Sequence, residues 1–352
     1  MAWQGIRGHD AIAATFARAQ AAGRIAGSYL FIGPAGVGKA SFARALAGAL
    51  VCQSPRPGLA ACGACVSCLQ AAAGTHPDID VVEKPADRGT IPLDLLIGAP
   101  EQRMREGLVW RLLLQPALGG RKVAIILDAD HLADEAANCL LKTLEEPPTA
   151  AVIILVGTEL ERQLPTIRSR CQVIRFRPLA PDDVAALLAE EVGRAGGQVD
   201  AAAVRSAAAA AGGSLARARQ LLDPDLTQFR HRLVELLGRR PLPGVEIARD
   251  ALAFVEAAGK DAPPRRTRLR VVLETAVDLL RAAIRAGVTG VPPADSLLAP
   301  AVAVWARDVD GAEVAMRHTL AAVDGIDRNA HLGTLVDAWT AVLEEPRLRS
   351  AT

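Results

Sequence analysis

The sequence predicts an α/β domain with a mostly parallel sheet, followed by a small helical domain and a larger all-helical one. Three observations predict it. Short apolar runs alternate with helical patterns as far as Pro178. A glycine-rich loop joins the first of those runs to its helix, and beyond Pro178 only helical spacing remains. In chain order, residues 9–22 carry amphipathic helical spacing, and Tyr29-Leu30-Phe31-Ile32 is a short apolar strand that leads through Gly33–Ser41 into a helical pattern over Phe42–Leu50. Ile79–Glu83 is a second strand, and Pro92–Leu114 is helical with an interruption near Gly98-Ala99-Pro100. Val123–Leu127 and Val152–Val156 are continuous apolar runs of the kind buried parallel strands show. Between them, Asp134–Glu146 is helical until Pro147-Pro148 stops it, and Gln172–Phe176 is a last strand. Pro181–Leu222 is helical, punctuated by Gly196-Gly197 and Gly212-Gly213. A linker at Pro241–Pro243 precedes helices over 244–345, with breaks expected at Pro263-Pro264 and Pro292-Pro293. The expected domains are therefore 1–178, 179–240 and 241–352.

Composition narrows the function classes. The chain has 352 residues, 51% hydrophobic and 22% charged, as in ordinary globular proteins. A net charge of +1 gives no global basic field for nucleic acid, and eleven aromatic residues offer few stacking platforms. Met1–Gly5 lacks a charged stretch followed by an apolar core, and runs such as Ala150–Val156 are too short to span a bilayer. A cytoplasmic location with no membrane partner is expected, and there the six cysteines are poor disulfide candidates.

Gly33-Pro-Ala-Gly-Val-Gly-Lys-Ala-Ser41 stands between strand and helix, the context of a phosphate-binding P-loop. Gly33, Gly36 and Gly38 let backbone N–H groups turn toward phosphate oxygens, and Lys39 can reach the β/γ end. The positive end of the following helix adds to the same anion site. A hydroxyl after the lysine would help hold Mg²⁺, but this chain has Ala40. Ser41 cannot replace it, because one step along a helix swings a side chain by about 100°. Asp128 ends the Val123–Leu127 strand, where a P-loop protein holds Mg²⁺. The next position, where a glutamate would activate water, is Ala129, and Asp130 is a shorter, displaced substitute. ATP or ADP can still bind through the loop amides and Lys39, whereas Mg²⁺ binding is compromised and turnover is expected to be poor or absent.

Cys52, Cys62, Cys65 and Cys68 form C-x9-C-x2-C-x2-C around a turn-rich connector too small to fold unaided. Four clustered thiolates suit one structural, tetrahedral Zn²⁺. His76 is read as part of a His-Pro-Asp turn, and the isolated Cys139 and Cys171 as core residues. Leu140–Pro148 reads as an amphipathic helix closing on two carboxylates and a double proline. In Pro165–Cys171, Arg170 suits either a surface salt bridge or stabilisation of phosphate charge in a neighbouring subunit.

Taken together, the P-loop, the four-cysteine insert, Gly74-Thr75-His76-Pro77-Asp78, Leu-Leu-Lys-Thr-Leu-Glu-Glu-Pro-Pro and Ser-Arg-Cys resemble bacterial DNA polymerase III clamp-loader subunits of the AAA+ superfamily. The resemblance is dense from about residue 5 to 178 and thins beyond. It implies a RecA-like AAA+ domain carrying zinc on the four cysteines, a helical lid and a helical collar. It also implies gamma/tau and delta subunits as partners in a hetero-pentameric ring, with the sliding clamp and primed DNA reached through the complex. By the same resemblance, Arg170 is an arginine finger acting in trans and Arg217 of Gly213-Ser-Leu-Ala-Arg217 belongs to a nucleotide-sensing segment. Ala40 and Ala129 separate the chain from ATP-hydrolysing gamma/tau, leaving a structural subunit with little or no ATPase activity of its own as the first reading. An active gamma/tau-type ATPase is the alternative, followed by a zinc-dependent nucleic-acid-binding module with a vestigial P-loop.

Overall fold

The computed structural model describes residues 3–344 apart from 86–87, 104, 119, 195–199 and 294. The predicted Gly196-Gly197 break lies outside the described residues. The chain divides into two compact units, Met1–Ala201 with Ala211–Ala218, and Ala202–Ala210 with Arg219–Thr352.

The first unit is built on five parallel strands, β1 (Ser28–Ile32), β2 (Ile79–Val82), β3 (Lys122–Ile126), β4 (Ala151–Gly157) and β5 (Gln172–Arg175), in the order β2-β3-β4-β1-β5. Leu30 of β1 lies opposite Leu155 of β4 and Val173 of β5. Side chains of a strand alternate between faces, so two cores form. Tyr29, Phe31, Val123, Ile125, Val152 and Ile154 enter one, with Phe16 of α1 (Asp10–Ala21) and Phe42 and Leu46 of α2 (Lys39–Leu50). Leu30, Ala124, Ile126, Ile153 and Leu155 enter the other. A short helix of the four-cysteine insert, α3 (Val66–Ala73), had no counterpart in the predicted elements. The second core is closed by Leu96 of α4 (Asp94–Ile97), Leu108 and Leu112 of α5 (Gly107–Leu113), and Leu140 and Leu144 of α6 (Asp134–Glu145). Burying each such aliphatic side chain contributes ~1.5–3 kcal/mol. After α6 come α7 (Pro165–Arg168) and α8 (Pro181–Arg194), whereas α9 (Ala201–Ala210) falls almost wholly in the second unit and α10 (Leu215–Gln220) spans the division at Ala218.

An ion pair is sealed at the foot of the sheet. Asp78 is fully buried and accepts from Ala117 N–H at 2.8 Å and Leu118 N–H at 3.0 Å. Lys122 Nζ lies 3.3 Å from the same carboxylate. Burial alone would raise the Asp78 pKa, but these two amides and the lysine outweigh it and hold the carboxyl below its ordinary value.

The second unit is helical: α11 (Pro224–Leu237), α12 (Gly244–Glu256), the 28-residue α13 (Ala262–Thr289), α14 (Ala299–Trp305), α15 (Val309–Asp327) and α16 (Leu332–Glu344). Leu269, Val272, Leu273, Ala276 and Leu280 of α13 run through its core, with Trp305 and Trp339 closing it. Both indole N–H groups are satisfied, donating to Leu237 O at 2.8 Å and Thr319 Oγ1 at 2.9 Å. Pro263-Pro264 does not interrupt two helices as expected but sits in the first turn of α13. Proline fits there because the first-turn amides have no intrahelical acceptor. The unpredicted start of α15 is set by Asp308, whose carboxylate accepts from Gly311 N–H at 2.9 Å.

Candidate functional site

The P-loop links β1 to α2, which begins at Lys39, three residues before the apolar pattern suggested, because Gly38 turns the chain in the left-handed region with φ 94°. Gly33 passes so close to Phe176 O that a Cβ there would collide with it. Lys39 is buried, and its ammonium donates to Gly33 O at 2.5 Å and Pro34 O at 2.6 Å, closing the loop on itself. Burial lowers its pKa to about 8, against the opposing charges of Asp130 and Asp128. His9, absent from the sequence candidates, supports the loop from below. Its Nε2 is 2.7 Å from Val37 O, and its ring stands edge-on to Phe176 with centroids 4.8 Å apart.

Asp128 follows β3 in the left-handed region, at φ 53°. Asp130 is already committed. Its Oδ2 accepts from Thr158 N–H at 2.6 Å and Thr158 Oγ1 at 2.8 Å, and its Oδ1 accepts from Gln163 Nε2 at 2.6 Å. Both of its oxygens are thus occupied by donors from Thr158 and Gln163. Thr158, just after β4, gives its hydroxyl to Asp130. Sequence spacing could not foresee this network, because Gln163 reaches Asp130 across 33 positions of chain.

A second segment lies on the loop. Leu215 N–H donates to Gly36 O at 2.9 Å, and a Cβ on Gly36 (φ +75°) would collide with Ser214 Oγ. Arg217 follows in α10, its own N–H donating to Ser214 Oγ at 3.3 Å. The sequence-predicted Gly33, Gly36, Gly38, Lys39 and Asp128 are thus gathered at the carboxyl ends of β1 and β3, and the Arg217 segment reaches them through Gly36.

The four cysteines converge after α2. Their sulfurs lie within 4.8 Å of one another, with Cys52 and Cys65 4.0 Å apart and Cys62 and Cys68 3.8 Å apart. Four sulfurs at about 2.3 Å from a tetrahedral metal stand about 3.8 Å from each other, so this set fits one. Amides also face the sulfurs: Cys62 N–H to Cys52 Sγ at 3.3 Å, Cys65 N–H to Cys62 Sγ and Cys68 N–H to Cys65 Sγ at 3.4 Å each. Such donors favour thiolate, and backbone amides of Ala64 and Cys65 bring the Cys62 pKa down to about 6. His76 lies outside this cluster and forms a turn, its Nδ1 accepting from Asp78 N–H at 3.0 Å.

Arg170 meets the Leu140–Pro148 motif. Its Nε donates to Glu145 Oε2 at 3.2 Å at the end of α6, while one terminal nitrogen donates to Thr166 O at 3.1 Å and Ser169 Oγ at 3.2 Å. The side chain stays 30% exposed, so the guanidinium is oriented without being enclosed.

Residues 8–180 match the family model described as DNA polymerase III, delta subunit. The chain is 37% identical over 226 residues to the DNA polymerase III subunit delta' of Pseudomonas aeruginosa, covering 64% of each protein. It is 36% identical over 257 residues to the subunit gamma/tau of Mycobacterium tuberculosis, covering 71% of this chain and 43% of that one. The chain thus spans less than two thirds of the length of these relatives. A gamma subunit-related protein of Thermotoga maritima superposes with a TM-score of 0.39 at 17% identity, over 96% of this chain and 99% of that one. Identity is nearly equal toward the delta' and the gamma/tau relative. No helix among the described residues is long and apolar enough to cross a membrane.

Proposed function

We propose that the chain is a delta-prime-type structural subunit of a bacterial DNA polymerase III clamp loader, cytoplasmic, and partnered by gamma/tau and delta in a hetero-pentameric ring that loads the sliding clamp on primed DNA. One observation carries the choice over an active gamma/tau-type ATPase. Asp130, the carboxylate that follows the position of a general base, is held by Thr158 and Gln163 while Ala40 and Ala129 supply neither hydroxyl nor carboxylate. Lys39, tied to Gly33 and Pro34, leaves nucleotide binding dependent on loop rearrangement. Arg170, held by Glu145 yet accessible, is the residue offered to a neighbour's ATP. Residues 1–178 form the nucleotide-type domain, 179–240 the lid and 241–352 the collar.

ATP turnover by the isolated chain is expected at background. Turnover above background that Lys39→Ala abolishes would establish the gamma/tau reading instead.

Zinc is the metal proposed for Cys52, Cys62, Cys65 and Cys68, with a structural role, since all four coordination positions come from the protein. Metal analysis is expected to give one zinc per chain, lost on Cys65→Ser together with a lower melting temperature. A chain that keeps its melting temperature after metal removal by a chelator would refute the structural role.

A further inference from the structure

A cleft of about 470 Å³ lies in the second unit, lined by the end of α12, the first turn of α13 and residues 329–333 leading into α16. That volume is in the range of small-molecule sites, about 300–1,000 Å³. Lys260, Arg265, Arg266 and His331 line it, against a single carboxylate, Glu256. Elsewhere in this unit some guanidinium groups are matched: Arg232 pairs with Glu246 and Asp250, and Arg239 with Glu235. In the cleft they are not. Among the described residues no ion pair engages Lys260, Arg265 or Arg266, and the buried Nε of Arg266 has no hydrogen-bond partner. Arg265 is anchored instead by donating Nε to Gly259 O at 2.7 Å, which fixes its position without neutralising it. The positive ends of α13 and α16 add to the same field.

We propose that this cleft is a binding site for a phosphate-bearing ligand. Three permanent cations against one carboxylate leave two charges to balance, as a phosphate dianion or two backbone phosphates would. Guanidinium forks match phosphate oxygens in pairs. No Phe, Tyr or Trp lines the cleft, so its charged groups favour phosphate over a base stacked on a large ring. The site is separate from the P-loop and does not depend on the reading given to it.

Calorimetric titration of the full chain with inorganic pyrophosphate tests the assignment, in the Lys39→Ala background so that the P-loop contributes nothing. Binding is expected to persist there and to weaken by about tenfold or more in Arg265→Gln/Arg266→Gln, charge-assisted bonds being the strong ones. Lys260→Gln, on an exposed side chain that folding does not need, is expected to weaken it several-fold. Competition by a single-stranded oligonucleotide would identify a nucleic-acid backbone as the source, and competition by ADP alone a free phosphate compound. Absence of pyrophosphate binding in the Lys39→Ala chain, unchanged affinity in both cleft variants, or binding of polyglutamate in place of pyrophosphate would each overturn the proposal.

Discussion

Arg170→Ala is expected, on the proposed role, to lower the DNA-stimulated ATPase of a complex reconstituted from this chain with gamma/tau and delta subunits. An arginine supplied in trans to a γ-phosphate is worth about 10³–10⁵ in turnover. The site next to this subunit should therefore fall nearly silent, and the complex should lose that site's share of its steady-state rate. Arg170→Lys should fail to restore it, since a point charge cannot reproduce the planar fork. Neither change should unfold the chain, because the Glu145 pair is partly exposed and worth at most about 1 kcal/mol. An unaltered ATPase rate in the Arg170→Ala complex would remove the trans role.

Asp78→Ala should be the most damaging single change away from the site. It strands the Lys122 ammonium, whose side chain is only 7% exposed, and leaves the Ala117 and Leu118 amides without their acceptor. Removing one partner of a buried pair costs about 3–5 kcal/mol. The expected reading is a corresponding drop in unfolding free energy by urea titration, with little change in the denaturant slope. The depressed pKa of Asp78 fixes the sign of its pH dependence. Its contribution is fully present above the ordinary value of 3.8 and is lost as pH falls below that through the folded value.

Much of the first unit was legible in the sequence. The apolar runs from Tyr29, Val123 and Val152 each became a fully buried strand, because a buried parallel strand needs apolar side chains on both faces, and the runs from Ile79 and Gln172 became the partly exposed edge strands. The cysteine spacing likewise anticipated one cluster, since thiols so close in chain have few other places to go. Long-range polar partnerships were not legible. Nothing local in Asp130 announces Gln163, and nothing in Asp78 announces the amides of Ala117 and Leu118. The Arg170–Glu145 pair joined two motifs whose meeting depends on how α6 and α7 pack. Helix starts were missed where a single cap or proline sets them, at Asp308 and Pro263.

Gly36 is held by two demands unrelated to phosphate, a backbone angle that side chains rarely adopt and the nearness of Ser214. Such a glycine would be retained by selection after a lineage ceased to use ATP. In this chain Gly36 is consequently a poor witness to ATP use, and Ala40, just after the lysine, is the better position to consult.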